Sequence, residues 1–366
     1  MGFKCGIVGL PNVGKSTLFN ALTATAAAAA ANYPFCTIEP NVGRVPVPDA
    51  RLDAIAKLAE SVKIVPTQLE FVDIAGLVRG ASQGEGLGNQ FLGHIREVDA
   101  IAHVVRCFDG GDIVHVEGSI DPVRDAETVE TELMLADLDS LERRLTAALK
   151  KAKGGDVETK GQVAVMEPVL ALLREGKPAR LFRPSVEEAP RFRQLQLLTA
   201  KPVMYVCNVE EGDIATGNDF VKRVEADAKK KGSQSIVVSA AIEAEVALLT
   251  SDEERRGYLD ALGMTESGLT RVIRAGYALL DLVTFFTAGP KESRAWTVHR
   301  GAKAPEAAGA IHTDFERGFI RAETISYADF IACNGEQGAK AAGNMRLEGR
   351  DYVVVDGDIM LFRFNV

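Results

Sequence analysis

Cysteine is scarce in this 366-residue chain: Cys5, Cys36, Cys107, Cys207 and Cys333 lie far apart, with no C-x-x-C pair among them. An odd, scattered set argues against a disulfide framework and against a zinc site, and fits a reducing compartment. No apolar run approaches the roughly 18 residues that cross a bilayer, so no membrane partner is expected. The first apolar segment leads straight into a glycine-rich loop, so no signal peptide is expected either. Met1-Gly2 is followed by Gly6 rather than the Ser or Thr that N-myristoylation favours. Positive charge is in deficit: 42 Lys and Arg against 51 Asp and Glu give a net charge of −9. That balance disfavours non-specific coating of nucleic acid but leaves room for local basic patches. What remains is 46% hydrophobic and 25% charged, the composition expected of a globular, cytoplasmic, monomeric protein with two or three domains.

The most informative stretch present is Gly9-Leu10-Pro11-Asn12-Val13-Gly14-Lys15-Ser16. G-x-x-x-x-G-K-[ST] wraps backbone N–H groups around a nucleotide β-phosphate. Lys15 is expected to reach the β- and γ-oxygens, and the Ser16 hydroxyl to bind Mg²⁺. Cys5 to Val8 reads as a buried strand and Ser16 to Ala31 as a helix, so the glycines fall between strand and helix. Asn12, Val13, Gly14 and Thr17 join Lys15 and Ser16 as candidate nucleotide-binding residues. These residues predict a nucleoside triphosphate binder.

Downstream parts follow in the order of a nucleotide switch. Asn32 to Pro40 is a proline-bounded loop in which Thr37 is the candidate to close over Mg²⁺ and the γ-phosphate. Leu69 to Gly76 reads as a strand ending in D-x-x-G; Asp73 is placed in the Mg²⁺ shell and the Gly76 N–H near the γ-phosphate. Gly76 to Gly93 holds six glycines, backbone suited to a loop that orders with one ligand and relaxes with another. Ile101 to Phe108, Pro202 to Cys207 and Ser235 to Val238 read as further strands, the second ending in Asn208-Val209-Glu210-Glu211 and the third in Ser239-Ala240-Ala241, a loop suited to backing the base. Strands alternating with helices predict an α/β, mostly parallel, doubly wound sheet.

A helical segment interrupts this series. Asp121-Pro122 is an N-cap signature, and Met134, Leu138, Leu141, Leu145 and Ala148 form a heptad seam. Gly154-Gly155-Asp156 breaks the helix, and Val165, Val169 and Leu172 lie on a second one, predicting an antiparallel coiled-coil arm. Six basic residues between Arg143 and Lys160 face two acidic ones there, a candidate contact for RNA phosphates. From about Asp281 the chain reads as a small mixed-sheet module with strands over Arg294–Val298, Phe319–Thr324, Tyr352–Val355 and Ile359–Phe364, and with Asp356-Gly357-Asp358 as a hairpin turn.

Over nearly its whole length the chain resembles the YchF family of Obg-like ATPases, within the translation-factor class of P-loop NTPases. The resemblance is carried by Gly9 to Thr17, Asn32 to Pro40, Asp73-Ile74-Ala75-Gly76-Leu77, Gly84 to Asn89 and Ile311 to Phe315. It implies an NTPase core (1–120 and 201–280), an inserted coiled-coil arm (121–200) and a C-terminal TGS module of ubiquitin-like fold (281–366). It also implies association with the ribosome, through the large subunit or the whole particle, and a role near translation or stress response.

Two departures from the wider GTPase pattern bear on chemistry. Guanine specificity uses N-K-x-D; here Val209 stands at the lysine and Glu211, one methylene longer, at the aspartate. A site that cannot satisfy guanine's donors loses its discrimination against adenine, at about 1–3 kcal/mol per unpaired buried polar group. YchF proteins look like ATP-preferring members for this reason, so the resemblance implies ATP as the ligand, with a relaxed site that also takes GTP as the alternative. Asn208 is left to bond N7 or an exocyclic amine. Leu77 follows D-x-x-G and cannot orient water, which predicts slow intrinsic hydrolysis or a nucleotide-gated scaffold whose hydrolysis is incidental. His115, in a loop opened by two glycines, is the candidate water-orienting side chain, and Asn12 is a candidate neighbour of a K⁺ ion beside the phosphates.

Overall fold

The computed structural model describes residues 3–30, 41–74, 87–110, 118–154, 156–249 and 251–365. In chain order it runs β1 (Lys4–Val8), α1 (Lys15–Ala30), β2 (Val42–Pro46), α2 (Ala50–Leu58), β3 (Lys63–Val65), β4 (Gln68–Asp73), α3 (Leu87–Arg96) and β5 (Ala100–Arg106). Then come α4 (Pro122–Ala152), α5 (Val157–Arg174), α6 (Ala189–Gln194), β6 (Val203–Asn208), α7 (Asp219–Lys230), β7 (Gln234–Val238), α8 (Ala240–Leu248), α9 (Asp252–Ala261) and α10 (Gly268–Leu279). The last part holds β8 (Leu282–Thr287), β9 (Glu292–His299), α11 (Ala304–Ile311), α12 (Thr313–Arg317), β10 (Phe319–Ile325), α13 (Tyr327–Ala332), α14 (Glu336–Ala341), β11 (Arg346–Glu348) and β12 (Ile359–Phe364).

The first sheet has the order β2-β4-β1-β5-β6-β7. Only β2 runs antiparallel to its neighbour; the other pairings are parallel. Every residue of β5 is buried, as a strand covered on both faces requires, which is why its sequence is a near-continuous apolar run. The carboxyl ends of β1, β4, β5, β6 and β7 lie along one edge, where an open α/β sheet takes its ligands.

Asp121 caps α4 by accepting the Arg124 N–H, with Pro122 in the first turn. The helix then serves two cores. Val129, Leu133 and Ala136 pack with the first sheet, whereas Leu141, Leu145 and Ala148 pack with Val165, Val169 and Leu173 of α5. The hairpin thus projects only after its first four turns, later than the 121 boundary read from the sequence. At its base the buried Asp137 carboxylate accepts the N–H groups of Leu198 and Thr199, both at 2.8 Å, and the Thr199 hydroxyl at 2.7 Å.

The second sheet has the order β11-β10-β12-β8-β9-β3. β3, far from it in sequence, pairs parallel with β9 from Lys63↔Glu292 to Val65↔Arg294. Leu52 and Ile55 of α2 share one core with Phe286, Ala295, Ile325, Phe330 and Ile359. Arg51 holds Asp49 and Asp356, and the Ser61 hydroxyl donates to the Gly289 carbonyl at 2.8 Å. Residues 50–65, placed with the nucleotide domain by sequence order, are therefore built into the other sheet.

Two expectations for this region fail. Tyr352–Val355 is not a strand and makes one isolated bridge, Lys303↔Val353. Asp356-Gly357-Asp358 is not a hairpin turn, because β12 lies between antiparallel β10 and parallel β8. The physical reason lies in the two carboxylates. Asp356 accepts the Thr284 N–H at 2.8 Å, and Asp358 accepts the Val355 N–H at 2.9 Å and the Tyr352 hydroxyl at 2.7 Å. The Val354 N–H goes to the Ala302 carbonyl at 2.9 Å, so the donors of Val354 and Val355 are both turned away from β12.

Candidate nucleotide site

The loop between β1 and α1 is shaped by close approaches. A Cβ at Gly9 would collide with the Val104 carbonyl, and one at Gly14, where φ is +94°, with the Asn208 amide nitrogen. Glycine is the residue that fits both the left-handed backbone and the space. Asn12 is exposed at φ +65°, a conformation asparagine tolerates. Lys15 is 7% exposed, and its ammonium donates to the Leu10 carbonyl at 2.7 Å, closing the loop on itself. Burial lowers its pKa to about 8, against the opposing pull of Asp73.

Ser16 and Asp73 meet across the edge of the sheet, the serine hydroxyl donating to Oδ2 at 3.3 Å. The other oxygen of Asp73, Oδ1, is buried with no hydrogen-bond partner among the described residues. Burial pushes this carboxyl up, opposed by Lys15 and Ser16. A hydroxyl and an orphaned carboxylate oxygen beside an anion-binding loop are donors that fit Mg²⁺, which takes few protein ligands and completes its shell with phosphate oxygens and water. Ser16 and Asp73 are the described residues that would hold it, and bound there it would neutralise phosphoryl charge.

The base side is a cleft of about 440 Å³ lined by Phe108, Asn208, Val209, Glu210, Glu211, Gly212, Ser239 and Ala241. Asn208 is buried at the end of β6. Its amide donates to the Val13 carbonyl at 3.0 Å and its oxygen accepts the Ala240 N–H at 2.9 Å. Asn208 thus ties the phosphate loop to the β7–α8 loop, with one amide hydrogen left for a ligand. Val209 is 3% exposed and packs beneath the cleft with Cys207, Val221 and Ile242. Glu211 is exposed in a single 3₁₀ turn. The Ser239 hydroxyl is buried at the wall with no partner among the described residues. Thr17 is exposed near the start of α1, and Ala240 is buried at the start of α8.

The structure therefore brings Val13, Gly14, Lys15, Ser16, Asp73, Asn208, Ser239 and Ala240 to one edge of the sheet. Thr37, Gly76 and His115 lie outside the described residues. Sequence reasoning missed Phe108, an aromatic wall of the cleft, and Arg106, which supports it. The available signal was a charged residue closing the apolar run Ile101-Ala102-His103-Val104-Val105.

Sheet order and phosphate loop together define a P-loop nucleotide-binding protein of the GTPase class. Family comparison agrees: residues 4–147 match the model described as 50S ribosome-binding GTPase, and residues 282–365 match YchF-GTPase_C, described as a protein of unknown function. The chain is 61% identical to the protein named ribosome-binding ATPase YchF from Haemophilus influenzae and 53% identical to that of Bacillus subtilis, with all of each chain covered. It is similar in structure to the Schizosaccharomyces pombe YchF GTPase, with a TM-score of 0.89 at 39% identity over 99% of this chain and 98% of that one. The chain belongs to the YchF family.

Proposed function

We propose that this chain is a Mg²⁺-dependent ATPase whose nucleotide state governs its association with the ribosome in the cytoplasm. The observation that carries the reading is the joining, through Asn208, of a phosphate loop beside an orphaned Asp73 oxygen to a base cleft bearing Glu211. Lys15 and the loop amides stabilise phosphoryl charge; Ser16, Thr37 and Asp73 bind Mg²⁺; Gly76 senses the γ-phosphate. Phe108, Ser239 and the Asn208–Glu211 turn take the base, and Glu211 in place of aspartate favours adenine. His115 orients water, and K⁺ beside Asn12 supplies charge stabilisation. The name that its relatives carry, ribosome-binding ATPase, supports both substrate and partner. Lys150, Lys151, Lys153 and Lys160 are exposed around the hairpin tip and suit contact with RNA phosphates.

The experiment is competition between ATP and GTP in Mg²⁺ and K⁺, with Lys15→Ala as control. An ATP preference that disappears in the variant supports the reading; a GTP preference means that other residues read the base. Leu77 favours a second reading, a nucleotide-gated scaffold with incidental hydrolysis. Steady-state hydrolysis that ribosomes leave unchanged favours that scaffold.

A further inference from the structure

Arg106 closes β5 and pairs in the ladder with Asn208 of β6. It is 2% exposed, and it is among the largest fully buried side chains of the molecule. A guanidinium is costly to bury unless its donors are matched, and two of its donors meet the backbone just beyond β5. Nη2 donates to the Gly110 carbonyl at 2.9 Å, Nε donates to the Phe108 carbonyl at 3.3 Å, and the guanidinium lies 4.5 Å from the centre of the Phe108 ring. Phe108 lines the cleft and Arg106 does not, so the arginine supports the aromatic wall from outside the cleft. The same tail is held from β6: the Cys107 N–H donates to the Asn208 carbonyl at 2.8 Å, and the Glu210 carboxylate lies close against Gly110. Residues 107–110 are thus held between the end of β5 and the end of β6, the strand that contributes Asn208 to the cleft.

We propose that Arg106 is a positioning residue for nucleotide binding. It fixes the ring of Phe108 against the base and so sets affinity for the nucleoside part of the ligand without touching the phosphates. The inference rests on the base cleft assigned above. A planar cation on one face of an aromatic ring, with two donors on the backbone that carries it, restrains the ring before any ligand arrives.

The test compares ATP with inorganic tripolyphosphate, both in Mg²⁺, for the full chain and for Arg106→Gln, Arg106→Lys, Phe108→Leu and the double variant Arg106→Gln/Phe108→Leu. The full chain should bind ATP more tightly than tripolyphosphate. Arg106→Gln should weaken ATP by about tenfold, the scale of one lost anchoring contact, and leave tripolyphosphate unchanged. Arg106→Lys, which keeps the charge but not the two-point fork, should recover part of the loss. Phe108→Leu should show the same ligand pattern, and the double variant should lose no more than the larger single one. An unchanged ATP affinity in Arg106→Gln, equal loss of both ligands, or additive losses would overturn the proposal. If Arg106→Gln does not fold, the ATP-selective loss is read in Arg106→Lys, and its absence there is equally decisive. Equal affinity of the unaltered chain for ATP and tripolyphosphate would overturn the base cleft itself, and the inference with it.

Discussion

Truncating Ile55 should destabilise a sheet whose other strands lie more than two hundred residues away. Ile55 is fully buried, in a core shared with Phe286, Ala295, Phe330 and Ile359. Ile→Ala at such a site costs about 2–5 kcal/mol, the removed methyl groups and the cavity they leave both contributing. The chain's single tryptophan reports on that sheet. Trp296 lies on β9, its indole N–H donating to the Thr287 hydroxyl at 3.0 Å, and Arg294 lies 4.2 Å from its ring. With a loss of about 3 kcal/mol and a urea dependence of about 1.5 kcal/mol per molar, the fluorescence midpoint of Ile55→Ala should fall by about 2 M. Leu141→Ala, equally buried but in the hairpin core, removes as much apolar surface and should leave the Trp296 transition in place. A midpoint in Ile55→Ala that stays within about 0.3 M of the unaltered chain would refute the shared core.

Gly14→Ala should weaken nucleotide binding by about a hundredfold, since strain of about 1–3 kcal/mol at a left-handed position adds to displacement of the Asn208 amide. Titration with a fluorescent nucleotide measures this, and circular dichroism checks that the fold persists. His103 carries a pH dependence. Burial lowers its pKa from 6.5 to about 4, with Glu130 opposing and Lys231, Lys15 and Arg180 reinforcing, and Tyr205 stacks on the ring. The unfolded chain therefore takes up the proton first as pH falls. The contribution is complete above pH 6.5 and is lost progressively towards pH 4, by about 3 kcal/mol in all. Unfolding free energies at pH 7 and 4.5 should converge in His103→Asn relative to the unaltered chain; an identical slope in both would sink this assignment.

The nucleotide edge was legible in the sequence because its signals are local. The phosphate loop is one contiguous stretch, and β1, β4, β5, β6 and β7 announce themselves as apolar runs bounded by turns. The second sheet was less legible. β8, fully apolar but for its threonines, follows α10 after only Leu280 and Asp281, and no turn signature separates them. β3 has three residues and belongs to a sheet assembled from the other end of the chain, a pairing that no period can announce. Tyr352–Val355 has the composition of a strand, yet the Val355 N–H goes to the Asp358 carboxylate and the Val354 N–H to the Ala302 carbonyl. At the site itself, Lys15, Ser16, Asp73 and Asn208 came from spacing. Arg106 and Phe108 did not, because their role arises where two strand ends converge. The bracing role of Asn208, added to its place beside the cleft, likewise depends on the distance between two loops.

The pairing of β3 with β9 also sets an order for synthesis. Val65 meets Arg294, so roughly 230 residues must be translated before β3 can find its partner, a wait of about 10–45 s at ordinary elongation rates. Throughout that interval Leu52 and Ile55 lack the core that later covers them, and an apolar segment stands unsheltered between two strands of the first sheet. A nascent chain paused or truncated before β9 would present that segment to chaperones and proteases, and release from this state coincides with completion of the last eighty or so residues.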